Sequence, residues 1–204
     1  MTDLLECVLK RLPLSIFLCL FAGLTFSMGA QAGNDIRLLA TAGLTFGGDT
    51  WQVAQSGNQT PVTIQGGGKI EVGGGLWWQS PQYPLATSLT ANYHVDRAAG
   101  VQGDAKFSRV PLEAMLYYTG METLRIGVGV SEILSPTVKA MVDGQQQRIG
   151  FNNATGKSFE LGYQVAPALW ANLRLSSANY TPKTAGSAKT ADVSFISLSL
   201  SHLF

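Results

Sequence analysis

Apolar and polar residues alternate with a period of two along most of the sequence after residue 33. In the last segment, "SFISLSLSHLF", the apolar residues Ile196, Leu198, Leu200 and Phe204 occupy even positions, and Ser197, Ser199 and Ser201 alternate with them. Such alternation is typical of a β-strand with two unlike faces, because neighbouring side chains point to opposite sides. The same pattern recurs in eight segments: 36–46, 70–78, 85–95, 110–118, 124–130, 159–165, 169–175 and 196–204. The sequence therefore predicts eight strands, each with one apolar face.

The connections between these strands alternate in length. Short connections that contain Pro or Gly fall near 79–84, 119–123 and 164–168, and longer polar ones fall at 47–61, 96–105, 135–156 and 181–191. Short turns at one end and long loops at the other are typical of an antiparallel, up-and-down transmembrane β-barrel. Since Val138, Met141 and Val142 give the longest loop an alternation of its own, we expect it to extend as a hairpin above the membrane.

A soluble lipocalin-like barrel or a β-sandwich is the alternative, because one face of each strand is apolar in those folds too. Their outer faces are charged, whereas only 13% of the residues here are charged, against about 25% in typical soluble domains. The polar faces carry isolated ionisable groups among Gly, Ser and Thr. This pattern favours a narrow lumen over a solvated exterior.

Aromatic residues near the strand ends agree with the membrane interpretation. Trp78, Tyr118, Tyr163 and Phe204 fall at the short-turn ends, and Phe46, Trp51, Tyr93, Phe159 and Tyr180 fall towards the loop ends. Two such groups predict two aromatic belts, one at each membrane interface.

Residues 1–32 have the features of a cleaved signal peptide. Two basic residues lead into an apolar run at 12–26, and Ala30–Ala32 fits a small-x-small cleavage site. The run of 15 apolar residues is shorter than the roughly 20 that a membrane-spanning helix needs. We therefore expect a Sec-type signal peptide at 1–32 and a barrel domain at 33–204. Both cysteines lie inside the signal peptide, so the mature chain would contain no disulfide or thiolate site.

The faces assigned to the lumen carry ionisable side chains. They are Arg37, Lys69, Glu71, His94, Arg109, Glu113, Arg125, Glu160 and Arg174. Because the interior of an eight-stranded barrel is just wide enough for side chains to fill, we expect these charges to pair in a buried network that plugs the lumen and fixes strand register. A selective conduit or proton path is the alternative.

Enzymatic chemistry finds little support in the sequence. A serine nucleophile needs a general base and a third group that orients the base. Of the two histidines, His94 stands two residues before Asp96, where both would face the same side, and His202 would be an interfacial anchor on the lipid side. No metal-ligand cluster is visible, and the glycines of 66–70 and 127–130 do not open a helix, so they are not phosphate loops. We expect no catalytic residues, no metal and no cofactor.

The end of the chain resembles the C-terminal signature of Gram-negative outer-membrane β-barrels, which the barrel assembly machinery recognises. Here the matching residues are Ile196, Leu198, Leu200 and Phe204, while His202 occupies a place where the family more often has Tyr or another apolar residue. The mature chain is similar in architecture to the OmpA transmembrane domain, OmpX and OmpW. The stretches "AGLTFGGDT" (42–50) and "FSRVPLEAMLYY" (107–118) also resemble segments of uncharacterised outer-membrane barrel-domain proteins.

This resemblance implies a location in the bacterial outer membrane, with the lipid bilayer, lipopolysaccharide and the barrel assembly machinery as partners. The expected role is non-enzymatic, either structural or in surface interaction, with the long loops left to bind an extracellular ligand. Transport of small or hydrophobic solutes, as suggested for OmpW-like barrels, is the alternative, and a lipid A-modifying enzyme is the weaker one. A net charge of +1 argues against nucleic acid as a partner.

Overall fold

The computed structural model describes residues 36–54, 62–100, 103–142, 145–183 and 190–204, and within these ranges it is all β. The strands are β1 (Ile36–Gly47), β2 (Thr50–Ala54), β3 (Val62–Gln65), β4 (Ile70–Gln79), β5 (Leu85–Gly100), β6 (Gly103–Tyr118), β7 (Leu124–Val142), β8 (Gln145–Gly150), β9 (Ala154–Ala166), β10 (Leu169–Tyr180), β11 (Ala191–Asp192) and β12 (Phe195–Leu203). The described part of the chain contains no helix long and apolar enough to cross a membrane.

Eight of the described strands close into a ring of antiparallel pairs. The order around the ring is β1, β4, β5, β6, β7, β9, β10 and β12, and β12 returns to β1 in a register that places Leu44 opposite Leu198. Closure gives each of the eight strands a hydrogen-bonded neighbour on both sides, and a sheet that crosses lipid cannot leave an open edge. The predicted eight-stranded antiparallel barrel is confirmed.

The two faces of each strand differ as the alternation predicts. On β12 the burial alternates strictly, with Ser197, Ser199 and Ser201 buried inside while Leu198 and Leu200 are about half exposed outside. The other barrel strands also present large apolar side chains to the exterior. Serines and threonines leave room inside the ring, and the apolar exterior is suited to lipid.

The loop end contains more strand than the sequence predicts. Within the predicted loop 47–61, residues 50–54 form β2, and within the predicted loop 96–105, residues 96–100 and 103–105 continue β5 and β6, with Arg97 opposite Lys106 and Gly100 opposite Gly103. The polar residues at these places resemble a loop composition, but they still alternate with partly buried Ala98 and with buried Ala105 and Phe107. The hairpin expected within 135–156 is present as the end of β7 paired with β8.

A cluster of apolar side chains fills the lumen at the loop end. We call it the loop-end cluster; its buried members are Ile64, Ala105, Phe107, Ile133, Val138, Ala140, Phe151, Ala154, Ala178, Tyr180, Ala191 and Val193. Ile64 comes from the β2–β3 hairpin, which is not part of the ring, and is 1% exposed. Since β3 contacts both β5 and β6, the hairpin folds over the loop end of the barrel.

The aromatic belts are only partly as expected. The outer face exposes Tyr118, Tyr163, Phe204, Phe46, Tyr93 and Phe159, and Trp78 is partly exposed. Tyr180 is not a belt residue, because it faces inward and is fully buried. The side chain of Trp51, the expected signal peptide at 1–32 and its two cysteines lie outside the described residues.

Close contact between β4 and β5 depends on glycine at residue 75. A Cβ built on Gly75 would overlap the carbonyl oxygen of Leu89 and lie 2.7 Å from the Cα of Thr90. We expect Gly75→Ala to destabilise the refolded barrel by about 1–3 kcal/mol, as overpacking does. The midpoint of urea unfolding in detergent micelles, followed by heat-modifiable gel mobility, measures this change. Gly150→Ala is the control, since its Cβ would meet only the Cδ of Lys183 at 3.6 Å; equal losses in both variants would contradict the explanation.

Candidate functional site

The middle of the lumen holds an arginine between two glutamates. Arg174 on β10 lies 2.6 Å from Glu113 and 2.6 Å from Glu160, and its Nε donates to Glu160 at 2.8 Å. Glu160 is directly opposite Arg174 on neighbouring β9, but Glu113 lies across the lumen on β6. Asn92 also donates to Glu113 at 2.7 Å. All four side chains are buried, so the hydrogen bonds replace the water that these charges would otherwise need.

A second group lies towards the loop end and is centred on Arg109. Its guanidinium donates to the Tyr180 hydroxyl at 2.7 Å and to the Gly67 carbonyl at 2.9 Å, and it lies 3.2 Å from Nδ1 of His94. Because a guanidinium can only donate, the contact with Nδ1 is a hydrogen bond in the tautomer that carries its proton on Nε2. Nε2 faces a carboxylate oxygen of Glu71 at 3.4 Å.

This second group also makes contacts across the lumen. Ser197 of β12 donates to Glu71 of β4 at 2.6 Å, and Tyr180 and Arg109 connect β10 with β6. The ring of Phe195 lies 4.4 Å from the Arg109 guanidinium and meets His94 edge-on. These bonds join strands that are not neighbours in the wall, so they fix the barrel's cross-section.

A third group, near the short turns, encloses Arg125 in aromatic rings. The guanidinium carbon lies 4.8 Å from the Trp77 ring centre, 4.9 Å from Tyr117 and 4.6 Å from Trp170. Ring faces attract cations, and the attraction is stronger where water is excluded. Arg125 also donates to Asn172 at 2.8 Å and to the hydroxyl of Ser201 at 3.0 Å.

Sequence reasoning missed this aromatic cage, although a signal for it was present. Trp77 precedes Trp78 and Tyr117 precedes Tyr118, so one aromatic of each pair must face the lumen if the other faces lipid. Trp170 likewise falls between the outward Leu169 and Ala171.

Seven of the nine residues predicted for the lumen network are buried, and the other two are exposed. The buried members are Glu71, His94, Arg109, Glu113, Arg125, Glu160 and Arg174. Lys69 is at the loop-end rim, 3.4 Å from buried Asp96, with 55% of its side chain exposed. Arg37 is exposed near the short-turn end and forms no ion pair with another described residue, so it lies outside the network. Its position has the lumen parity but is too close to the end of β1 to be covered.

The histidines are not arranged for nucleophilic catalysis. His94 is buried, and its two ring nitrogens face Arg109 and Glu71 rather than a serine hydroxyl. His202 faces outward, with its ring 4.5 Å from that of Phe204. Within the described residues no group of three His, Cys, Asp or Glu side chains could hold a metal ion.

The buried charges are balanced within the lumen. Arg109, Arg125 and Arg174 are each at most 8% exposed, as are the three glutamates Glu71, Glu113 and Glu160. Solvent therefore barely reaches the middle of the barrel from either end, and the loop-end cluster covers this network from above. The arrangement can hold the strands in register, and it keeps these charged side chains out of contact with solvent.

Comparison of the whole fold with solved structures gives consistent matches. Ail, the attachment invasion locus protein of Yersinia pestis, is 8% identical over 83% of this chain and 97% of its own, with a TM-score of 0.51. Neisserial surface protein A is 12% identical over 83% of this chain and 97% of its own, also at 0.51. The N-terminal β-barrel domain of Pseudomonas aeruginosa OprF is 14% identical over 85% of this chain and 100% of its own, at 0.50.

The chain has the fold of the small outer-membrane β-barrels. At the sequence level there is no match to a protein-family model or to a curated protein. The likeness therefore concerns architecture alone, and the site must be interpreted from the lumen and surface residues of this outer-membrane barrel fold.

Replacement of Arg174 tests whether the network stabilises the barrel. Arg174→Met would leave buried Glu113 without its cation and Glu160 with only Arg125 at 3.5 Å, and breaking a buried pair costs about 3–5 kcal/mol. We expect a matching loss in the free energy of unfolding, measured by urea titration in lipid vesicles. Arg37→Met, which removes an exposed arginine on the same face, should change it by less than about 0.5 kcal/mol. Equal midpoints for the two variants would refute a stabilising role; if Arg174→Met does not fold, Arg174→Lys should show a smaller loss of the same sign.

Proposed function

We propose that the protein is an integral outer-membrane protein with a non-enzymatic structural or surface-interaction role. One observation carries the proposal: an apolar exterior surrounds a lumen filled by buried, mutually paired charges. An apolar wall requires lipid, and a filled interior leaves the loop end and the outer surface as the places where other molecules can bind. Export by the signal peptide at 1–32 would bring the chain to the assembly machinery.

Assembly would depend on the last strand. Ile196, Leu198, Leu200 and Phe204 all face outward, and Phe204 is 69% exposed. An edge strand with such residues is available to a partner before β12 pairs with β1. This exposure supports the proposed recognition by the barrel assembly machinery.

The loop end offers a built surface for contact with partners outside the cell. The β5–β6 hairpin and the β7–β8 hairpin continue the barrel wall beyond its apolar band as paired strands. Paired strands are more ordered than free loops, so side chains on them have defined positions. We infer that an extracellular ligand, if there is one, binds these hairpins.

Transport and lipid modification are less well supported. Transport along the lumen would require solvent or solute to pass buried Arg109, Arg125 and Arg174, and the loop-end cluster leaves the described lumen filled. A lipid A-modifying enzyme would need its histidine at the lipid-facing rim of the loop end, whereas His94 faces inward and His202 faces outward at the short-turn end.

Single-channel recording in planar lipid bilayers separates a plugged barrel from a transporter. We expect folded wild-type protein, verified by heat-modifiable gel mobility, to give no discrete conductance steps. The buried ion pairs leave no continuous water path, and moving a bare ion past them would be strongly unfavourable. Stable, reproducible steps from folded protein would overturn the plugged lumen and favour transport.

A further inference from the structure

Four basic side chains lie side by side across four neighbouring strands at the loop end. Arg97 on β5 is directly opposite Lys106 on β6, Lys106 is opposite Lys139 on β7, and Lys139 is opposite Arg148 on β8. We call these four residues the basic row. With strands about 4.8 Å apart, the row spans roughly 14 Å.

All four side chains point to the outside of the barrel. Their chain neighbours Asp96, Ala105, Phe107, Val138 and Ala140 are buried on the inner face. Arg97, Lys139 and Arg148 are exposed and Lys106 is partly exposed. Directly opposite residues share a face of a sheet, so the pairing register places the four cations on one surface.

This arrangement is unfavourable for the chain by itself. Like charges directly opposite each other on adjacent strands repel, and the row contains three such pairs in succession. Among the described residues, none of the four cations is within 4.0 Å of a carboxylate oxygen. In the lumen, Arg125 and Arg174 are paired with glutamates and Arg109 is held by hydrogen bonds, whereas no hydrogen bond or ion pair of this kind holds the basic row in the described part of the chain. An anion from outside the chain would remove the repulsion.

The row lies where the apolar band of the wall ends. On β5 the outward residues before Arg97 are Tyr93 and Val95, and the ammonium of Lys106 lies 6.0 Å from the Tyr93 ring centre. Arg97 is therefore only about 7 Å along the strand from the last apolar outward residue. That height corresponds to lipid headgroups, immediately above the acyl chains.

A fifth cation flanks the row. Gly150 is two residues beyond Arg148 on the same face of β8, and a Cβ built there would lie 3.6 Å from the Cδ of Lys183. Lys183 is exposed and is held there by its backbone N–H, which donates to the Gly150 carbonyl at 3.0 Å.

We propose that the basic row binds the phosphate groups of lipopolysaccharide in the outer leaflet. The inference rests on the proposed outer-membrane location, and it adds the site at which the expected lipopolysaccharide binds and the chemical group that is bound. Arginine guanidinium groups bind phosphate oxygens in pairs of hydrogen bonds, and lysines add point charges between them. Acyl chains of the same molecule would lie against Tyr93 and the apolar wall below.

The test compares two double variants with equal loss of charge. Lys106→Gln/Lys139→Gln removes the centre of the row, while Arg37→Gln/Lys157→Gln removes two exposed cations elsewhere on the barrel. Each protein is produced from the full gene, extracted from outer membranes and freed of lipopolysaccharide. Titration with purified lipopolysaccharide in detergent micelles, read by native mass spectrometry, gives the affinity.

We expect the row variant to bind at least about tenfold more weakly than wild type and the control variant to bind like wild type. The affinity of the wild-type protein for lipopolysaccharide should fall as salt is added. Its affinity for dephosphorylated lipopolysaccharide should be lower than for the intact lipid. Inorganic phosphate at millimolar concentration should not compete with lipopolysaccharide. Equal binding by the two variants, or equal binding of the dephosphorylated lipid, would overturn the proposal. Binding of an acidic polysaccharide in place of the lipid would also overturn it.

Stability gives a second readout with a distinctive sign. Without lipopolysaccharide the row variant should unfold at the same or a higher urea concentration than wild type, because repulsion is relieved. Added lipopolysaccharide should raise the midpoint for wild type and not for the row variant. A row that was only structural would lose stability in both conditions. Failure of the wild-type protein to reach the outer membrane would refute the proposed function, whereas a folded outer-membrane barrel with unchanged binding would refute this inference alone.

Discussion

The barrel depends on pairing charge inside a narrow, water-poor lumen. With eight strands the interior is filled by side chains, so an arginine on the inner face cannot remain solvated. Arg174 therefore has to meet Glu113 and Glu160, and these contacts exist only when β6, β9 and β10 have their observed stagger. A shift of one residue in any of these strands would turn a charged side chain towards lipid. The ion pairs thus select one register among many that have similar backbone hydrogen bonding.

The three groups along the lumen each hold a buried arginine, and they do so with different partners. Arg174 is paired with two carboxylates. Arg109 donates hydrogen bonds to a tyrosine hydroxyl and a backbone carbonyl and lies beside His94. Arg125 combines ring faces and neutral oxygens with an ion pair to Glu160 at 3.5 Å. The cage around Arg125 needs no second buried carboxylate at the short-turn end, where Leu39 and Leu203 make the lumen apolar. Together with the loop-end cluster, these groups fill the interior with side chains that stabilise the barrel. The exterior is therefore the surface on which another molecule can bind.

Much of this fold follows from alternation, which depends only on strand geometry. The parity of Leu198 and Ser197 is sufficient to assign their faces, and the same counting places Tyr180 inside, against its expected place in an aromatic belt. Parity does not give the height of a residue along the barrel axis. Arg37 has the parity of the lumen face, but it lies near the end of β1 and is therefore outside the buried network. Nor could local pattern show that Arg125 meets Trp77, because that contact depends on the stagger of strands from opposite sides of the ring. Residues 96–100 and 103–105 are strand in spite of their polar composition. A strand that extends beyond the lipid has no row of apolar outward residues, and this row is the pattern that identifies a membrane strand.

Because the β5–β6 and β7–β8 hairpins extend beyond the apolar band, they align residues on the outer surface that the sequence pattern assigns to loops. Arg97, Lys106 and Lys139 are far apart along the chain and look like ordinary solvated charges until the register aligns them. Inside the barrel each arginine is held by carboxylates, hydroxyls, carbonyls or ring faces of its own chain. Outside, above the apolar band, no carboxylate among the described residues lies within 4.0 Å of the aligned cations. A sheet that tolerates successive like-charge pairs at this one height is best explained if the surrounding membrane supplies the missing negative charge. The ligand is therefore assigned to this face because its aligned cations lack partners in the described part of the chain, and not because basic residues are numerous there.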